Sequence, residues 1–261
     1  MPLLTEKEIG RIPCARLLMH LLSVDKVNDL YDRNCSCNGP SFAHAVLEDL
    51  GVHYEIENPE VLDEISEGPF ITISNHPYGH LDGVMLVDLF AHIRSDYKVM
   101  ANKFLGRIAA LRDNFICVTP VGSERTNPTG DSVQGVKEAF RHVREGHPLG
   151  LFPAGAVSDL SLKEGCVRDR EWQEPVIRLI RRLNVPILPV TFRDGNSRLF
   201  YSLGLVDWRI RLLKLPSEVF NKRGRVERIA LGKIITPQQQ DRFDDINEFG
   251  RFLREKVDEL K

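Results

Sequence analysis

Residues 71–90 read ITISNHPYGHLDGVMLVDLF, and the change of pattern inside them decides the fold. Ile71 to Ser74 is a short run with the character of a buried strand, and Pro77 and Gly79 punctuate a turn. From Asp82 onward Val84, Met85, Leu86, Val87, Leu89, Phe90 and Ile93 cover nearly every face of a helix, as expected of a helix buried on all sides. A polar pair, His76 and Asp82, therefore falls where a buried strand meets a buried helix.

Spacing limits how that pair can meet. On one continuous helix six positions correspond to about 600° of rotation and roughly 9 Å of rise, so the two side chains would diverge by about 120°. With His76 at the strand end, the turn through Pro77, Tyr78 and Gly79 can fold the imidazole back over the helix N-terminus. One ring nitrogen can then donate to Asp82 while the other faces a substrate. The helix dipole favours a carboxylate at that position. Such a partner fixes the tautomer and stabilises the imidazolium formed when histidine takes a proton, which is the base-and-orienter arrangement of acyl transfer. His80 lies in the same turn but does not follow the strand end as His76 does. His20, His44, His53, His92, His142 and His147 read as structural or exposed.

Outward from this segment, strands are predicted at 70–74, 97–101, 115–119, 149–153, 186–192 and 227–232. Helices are predicted at 82–93, 131–145 and 172–183, with a closing amphipathic helix at 244–260. Alternation of this kind predicts an α/β fold with a mainly parallel, mixed sheet flanked by helices. Residues 1–52 read as an N-terminal helical extension packed on the core and 53–261 as one α/β unit. Thr5 to Glu8 matches a capping box, Ile9, Pro13, Leu17, Leu18, Leu21 and Leu22 suggest an amphipathic helix kinked near Pro13, and Ser23 is a candidate cap for the next helix. That first helix is expected to pack on the core, with a membrane contact as its alternative.

The 261 residues carry 35 Lys and Arg against 37 Asp and Glu, a formal net charge of -2, so global charge gives no reason to propose nucleic-acid binding. Basic clusters do stand beside apolar stretches: Arg178, Arg181 and Arg182; Arg193 and Arg198; Arg209, Arg211 and Lys214. Solvated helix faces explain them, and so does an anionic membrane surface. No run approaches the ~20 apolar residues of a membrane span, and the N-terminus lacks the apolar core of a signal peptide, so a cytoplasmic chain is expected. The five cysteines, Cys14, Cys35, Cys37, Cys117 and Cys166, have no paired zinc spacing and are expected to be reduced; Cys35 and Cys37 form a minor redox or metal candidate.

The run S-N-H-P-Y-G-H-L-D-G resembles the signature of the glycerolipid acyltransferases, the glycerol-3-phosphate and lysophosphatidic acid acyltransferase superfamily. With one residue more than the usual N-H-x-x-x-x-D, it is similar to the hemolysin-related bacterial branch, some of whose members are associated with ornithine and glycine lipids. Three further blocks follow in the family's order: N-F-I-C-V-T-P-V-G-S-E-R at 114–125, L-F-P-A-G-A-V-S at 151–158 and V-P-I-L-P-V at 185–190. The resemblance covers roughly residues 69–200. It implies that Arg125 helps to hold the acceptor and that Gly155 and Ser158, in the second block, contact substrate. Backbone N–H groups around Gly155 are candidates for an oxyanion or phosphate. Lys103 is a candidate source of positive potential. Ala154 stands where the family usually has Glu, and Val157 where it usually has Arg, so an acceptor that needs those charges is disfavoured. The third block reads as a supporting strand.

The reaction so implied is direct O-acyl transfer with His76 as base and Asp82 as its partner. The donor would be acyl carrier protein or coenzyme A thioester and the acceptor a lysophospholipid or lyso-aminolipid. No cofactor or metal is expected, and the contact with the inner face of the cytoplasmic membrane would be peripheral. An esterase or thioesterase is the first alternative, although the chain has no G-x-S-x-G elbow. A noncatalytic lipid-binding protein that kept the fold is the second.

Overall fold

The strand that delivers His76 lies in the middle of a seven-stranded sheet. The computed structural model describes residues 15–65, 67–103, 105–118 and 130–261. The chain runs α1 (Ala15–Leu21), α2 (Val24–Asn34), α3 (Gly39–Leu50), β1 (His53–Glu57), β2 (Ile71–Ser74), α4 (Leu81–Ile93), β3 (Lys98–Asn102), β4 (Phe115–Val118), α5 (Gly130–Arg144) and β5 (Leu149–Leu151). It continues with β6 (Asp159–Ser161), β7 (Cys166–Arg168), α6 (Glu174–Leu183), β8 (Ile187–Phe192), α7 (Arg198–Val206), α8 (Trp208–Leu213), α9 (Leu215–Phe220), β9 (Val226–Leu231), α10 (Pro237–Gln240) and α11 (Ile246–Asp258).

Strand order is β1-β9-β8-β2-β5-β3-β4. Every neighbouring pair is parallel except β8 with β9, so the sheet is mixed and mainly parallel. The parallel strands β2, β5, β3, β4 and β8 all end at one edge, where loops collect the polar side chains. Along β2 the pleat alternates. Ile71 and Ile73 join the core under α5, α6 and α11, whereas Thr72 faces the other side and shares a 2.7 Å hydrogen bond with Tyr97. On that side α3 and α4 supply Leu47, Met85, Leu86 and Phe90. Truncating a fully buried residue such as Leu86 to alanine should cost about 2–5 kcal/mol.

Local chemistry sets the helix ends. Gly51 adopts φ 63° and closes α3, and Asn184 adopts φ 49° and closes α6. Asp245 caps α11 through the N–H groups of Asn247 and Glu248.

Several expectations need correction. Residues 1–14, with the capping box, the Pro13 kink and Cys14, lie outside the described residues. Ser23 precedes α2 but has φ 60° and makes no side-chain cap bond. Leu17 and Leu21 of α1 are exposed rather than packed on the core, and Ile93 is exposed at the end of α4. The strand β1, the β6–β7 hairpin and the helices α7 to α9 were not anticipated. Cys35, Cys37, Cys117 and Cys166 are free thiols, and the Cys35 Sγ–H donates to the carbonyl of Asp32.

The basic clusters are largely engaged within the protein. Arg178 pairs with Glu174, Arg181 lies over the Phe249 ring, Arg182 lies over Phe140, and Arg193 pairs with Glu57. Because α6 leads into a strand parallel to β2, its last turn points to the sheet edge opposite His76.

Candidate active site

At the end of β2 the chain is clamped before it turns. Asn75 bridges to β8 with both ends of its amide: Nδ2 donates to the Phe192 carbonyl at 2.9 Å and Oδ1 accepts the Phe192 N–H at 2.8 Å. The His76 N–H donates to Oδ1 of Asp169 at 3.1 Å, and the His76 carbonyl accepts from the Ser158 N–H at 2.9 Å. The Pro77 carbonyl accepts from Tyr201 Oη at 2.8 Å and from Asn196 Nδ2, which also bonds the Tyr78 carbonyl at 3.0 Å. Gly79, at φ 79°, completes the turn in a region that L side chains enter at a penalty, and a Cβ there would collide with Val157. A turn held at each successive peptide leaves little freedom to the side chain it carries.

That turn brings His76 and Asp82 together: Nδ1 lies 2.7 Å from Oδ2. The ring meets the carboxylate obliquely, off the line of an ideal hydrogen bond, so the contact is an ion-pair contact that strengthens when the ring is protonated. Asp82 is fully buried at the second residue of α4. Its Oδ2 accepts the N–H groups of Tyr78 and Gly79, each at 3.1 Å, and Oδ1 accepts that of Gly83 at 3.0 Å. Nδ1 is buried while the His76 side chain as a whole keeps 17% of its surface open, so the opening lies away from Nδ1, on the Nε2 side. The Phe152 ring covers one face of the imidazole with centroids 4.2 Å apart.

Burial alone would lower the His76 pKa. The negative charge of Asp82, the contact with it and the more distant charge of Asp169 outweigh that, and the net direction is upward. For Asp82 burial pulls upward, and the His76 and His80 charges together with the backbone donors bring it below the ordinary carboxylate range.

His80 is differently employed. Its Nδ1 accepts the Leu81 N–H at 2.7 Å as the cap of α4, and its Nε2 lies 3.2 Å from the Leu215 carbonyl. Both nitrogens are engaged, and burial pushes its pKa down to about 4.

The other candidates separate from this pair. Arg125 lies outside the described residues. Lys103 is exposed just beyond β3, on the same sheet edge as His76, with its N–H bonded to the Val118 carbonyl. Gly155 adopts φ 63° against the Gln173 side chain, and its own N–H is engaged by the Phe152 carbonyl. Ser158 is buried and its hydroxyl donates to Asp169 at 2.5 Å, so it braces the His76 turn rather than facing an open site. Ala154 and Val157 are both buried, the latter among Phe200, Tyr201 and Leu215. Residues 187–190 of the 185–190 block lie in β8, which is buried throughout and paired with β2, while Val185 and Pro186 lead into it half-buried.

Sequence reasoning missed Asp169, Asn196 and Tyr201. They reach the turn from 93, 118 and 124 residues away in the chain, and no local spacing marks them. It also missed a buried network behind the turn. Tyr78 Oη donates to Glu227, Lys222 Nζ stands 5.6 Å over the Tyr78 ring, and Lys222 lies 3.6 Å from Glu218.

A sequence model described as acyltransferase matches residues 12–261. The lyso-glycine lipid O-acyltransferase of Bacteroides thetaiotaomicron is 26% identical over 250 residues, covering 93% of this chain and 88% of that protein. The protein of the same name from Phocaeicola vulgatus is also 26% identical, over 93% of this chain and 86% of its own length. The crystal structure of the 1-acyl-sn-glycerophosphate (LPA) acyltransferase from Thermotoga maritima matches with a TM-score of 0.49 at 13% identity, over 94% of this chain and 92% of that one.

Proposed function

The chain belongs to this acyltransferase family, and from that premise we propose that it moves a fatty acyl group from an acyl thioester onto the hydroxyl of a lyso-lipid, with His76 as the general base. The observation that carries the reading is the His76–Asp82 contact, with Nδ1 buried against the carboxylate and the opposite side of the ring open. In the reaction His76 Nε2 takes the proton of the acceptor hydroxyl. The oxygen attacks the thioester carbonyl, the C–S bond breaks, and the departing sulfur receives the proton from the imidazolium. The products are an ester and a free thiol, and His76 returns to its starting form. Asp82 holds the ring and stabilises the imidazolium, while the anchored turn spares the site reorganisation. General-base action of this kind contributes roughly 10² to 10⁴ in rate.

The donor is acyl carrier protein or coenzyme A thioester. For the acceptor a lyso-aminolipid is favoured over lysophosphatidic acid. The names of the two bacterial relatives support this, as do the uncharged, buried Ala154 and Val157. A lipid acceptor requires the protein to meet a membrane surface, and no helix among the described residues is long and apolar enough to cross one. A serine or cysteine hydrolase is less well supported, because no described hydroxyl or thiol hydrogen-bonds the His76 ring and the nearby Ser158 hydroxyl is committed to Asp169.

The test is purified protein with acyl thioester and either lyso-glycine lipid, lysophosphatidic acid or no acceptor. Thiol release that requires the lyso-lipid, with a diacylated product that disappears in His76→Ala, is the expected result. Free fatty acid at equal rate without acceptor would overturn the transferase reading. An unimpaired, folded His76→Ala variant would overturn the role of His76.

A further inference from the structure

Helix α8 is packed inside out. Of its six residues, WRIRLL, only Arg211 is buried, whereas Trp208, Arg209, Ile210, Leu212 and Leu213 are exposed. Its neighbour α7 adds exposed Arg198, Leu199, Leu205 and Val206, the last 78% exposed. The β6–β7 hairpin, whose β6 packs on α7, carries Leu162 at its tip with 75% exposure, beside the exposed Lys163. An open cleft of about 460 Å³ runs between the hairpin and the two helices, lined in part by Leu160, Leu205, Val206 and Trp208. So many exposed large apolar side chains on three adjoining elements are uncommon on a protein that meets only water.

The buried side of the same segment explains why it stays folded. Arg211 Nη1 donates to the Ser158 carbonyl at 3.0 Å and pairs with Asp159, and its guanidinium lies 5.3 Å from the centroid of the Phe200 ring. Tyr201 on α7 donates to the Pro77 carbonyl. These two inward side chains tie the exposed face to both flanks of the His76 turn, since Ser158 also bonds the His76 carbonyl.

We propose that the outer face of α7 and α8, with the hairpin tip, is the surface by which this protein docks on an anionic lipid bilayer. The occupant follows from chemistry. With Arg211 neutralised by Asp159, the segment exposes Arg198 and Arg209 against a single acid, the half-buried Asp207, and Arg209 stacks over Trp208 with its charge 5.4 Å from the ring centroid. Leucine, valine, isoleucine and tryptophan that enter the headgroup boundary, flanked by arginine that meets phosphate, are the composition of an interfacial helix. Docking in this orientation sets the cleft against the bilayer and the His76 turn directly behind it, so that a lyso-lipid need not leave the interface completely to reach the base. The inference rests on the acyltransferase reading for that last consequence, but not for its test.

The experiment is flotation with phosphatidylcholine vesicles, with and without about one-third phosphatidylglycerol. Parent protein is compared with Val206→Asp/Leu213→Asp, with Arg198→Glu/Arg209→Glu and with Ile93→Asp at the far end of α4. All these positions are exposed, and melting curves check that each variant folds. The expected result is that the parent floats with the anionic vesicles, the apolar variant loses about tenfold or more in partition, the arginine variant loses the dependence on phosphatidylglycerol, and Ile93→Asp behaves as the parent. Flotation of Val206→Asp/Leu213→Asp equal to that of the parent overturns the proposal, as does loss of binding only when Leu21 of α1 is changed to Asp. Self-association of the parent that these substitutions abolish, without vesicle binding, assigns the face to a second copy and also overturns it. Normal flotation with no acyl transfer to any acceptor leaves the docking surface standing and rejects the acyltransferase reading instead.

Discussion

The N–H of His76 donates to Oδ1 of Asp169, so the peptide that carries the imidazole is fixed by a buried carboxylate 93 residues away. Asp169 also accepts the Ser158 hydroxyl, and the Trp172 indole N–H approaches it at 3.4 Å. Burial pushes its carboxyl upward, against the pull of Ser158 and His76. Asp169→Ala should leave the His76 N–H and the Ser158 hydroxyl without their partner. Displacement of the ring should then cost about 10²-fold in kcat with little change in KM for the thioester. Asp169→Asn keeps an acceptor and should retain most of the activity. Steady-state kinetics on the two variants separates the clamp from the charge.

Asp82 has a different signature. Because its charge raises the His76 pKa, the proposed base is protonated, and idle, at the acid end of the profile, and kcat/KM should rise with pH through a pKa above the ordinary imidazole value of 6.5. In Asp82→Asn burial acts on the ring with less opposition, so the limb should move to lower pH while kcat falls by about 10² to 10⁴. A limb that moved upward would contradict the pairing.

The two histidines of the turn should part company on substitution. His76→Ala should abolish transfer. His80→Ala should remove the α4 cap and the contact with the Leu215 carbonyl, cost about 1 kcal/mol in urea unfolding and leave kcat within a few-fold of the parent. With its pKa near 4, His80 is neutral through the working range and should leave the limb of the pH profile unmoved.

Glu218 is fully buried and binds the Ser197 N–H at 2.8 Å and its hydroxyl at 2.7 Å, beside Lys222 and Lys214. Burial pulls its carboxyl upward, but the hydrogen bonds from Ser197, Asn221 and Lys214 hold it down to about 2. A pKa depressed in the folded state gives stability that is present above the ordinary value of 4.5 and is lost as pH falls towards 2. Glu218→Ala removes the carboxylate 3.6 Å from the buried Lys222 Nζ, and should lose about 3–5 kcal/mol near neutral pH. Glu218→Gln should flatten the acid side of the stability curve.

The sequence was most legible where burial is complete. ITIS, FICV and ILPVTF are strands with few polar positions, and each was located within a residue or two. HYEIE at the sheet edge is half polar and half exposed, so β1 carries no comparable pattern. That β9 runs against β8 is set by the long excursion through α7 to α9, which periodicity does not encode. For WRIRLL the usual inference fails outright, because the arginine is inside and the leucines are outside. His76 and Asp82 were visible because one turn brings them together. Asp169, Asn196 and Tyr201 were not, since folding alone makes them neighbours of that turn.

Val157 fills the space beside Gly79 that a side chain would otherwise occupy. The sequence resemblance implies an arginine at position 157 for a phosphate-bearing acceptor, which makes Val157→Arg the obvious first step of a redesign. That single change would drive a guanidinium into the apolar cluster with Phe200, Tyr201 and Leu215 and press it on the turn that aims His76. A charge at position 157 and the conformation of the His76 turn are thus coupled. A charged side chain here would need α7 to move as well, so Val157→Arg should fail as a single substitution.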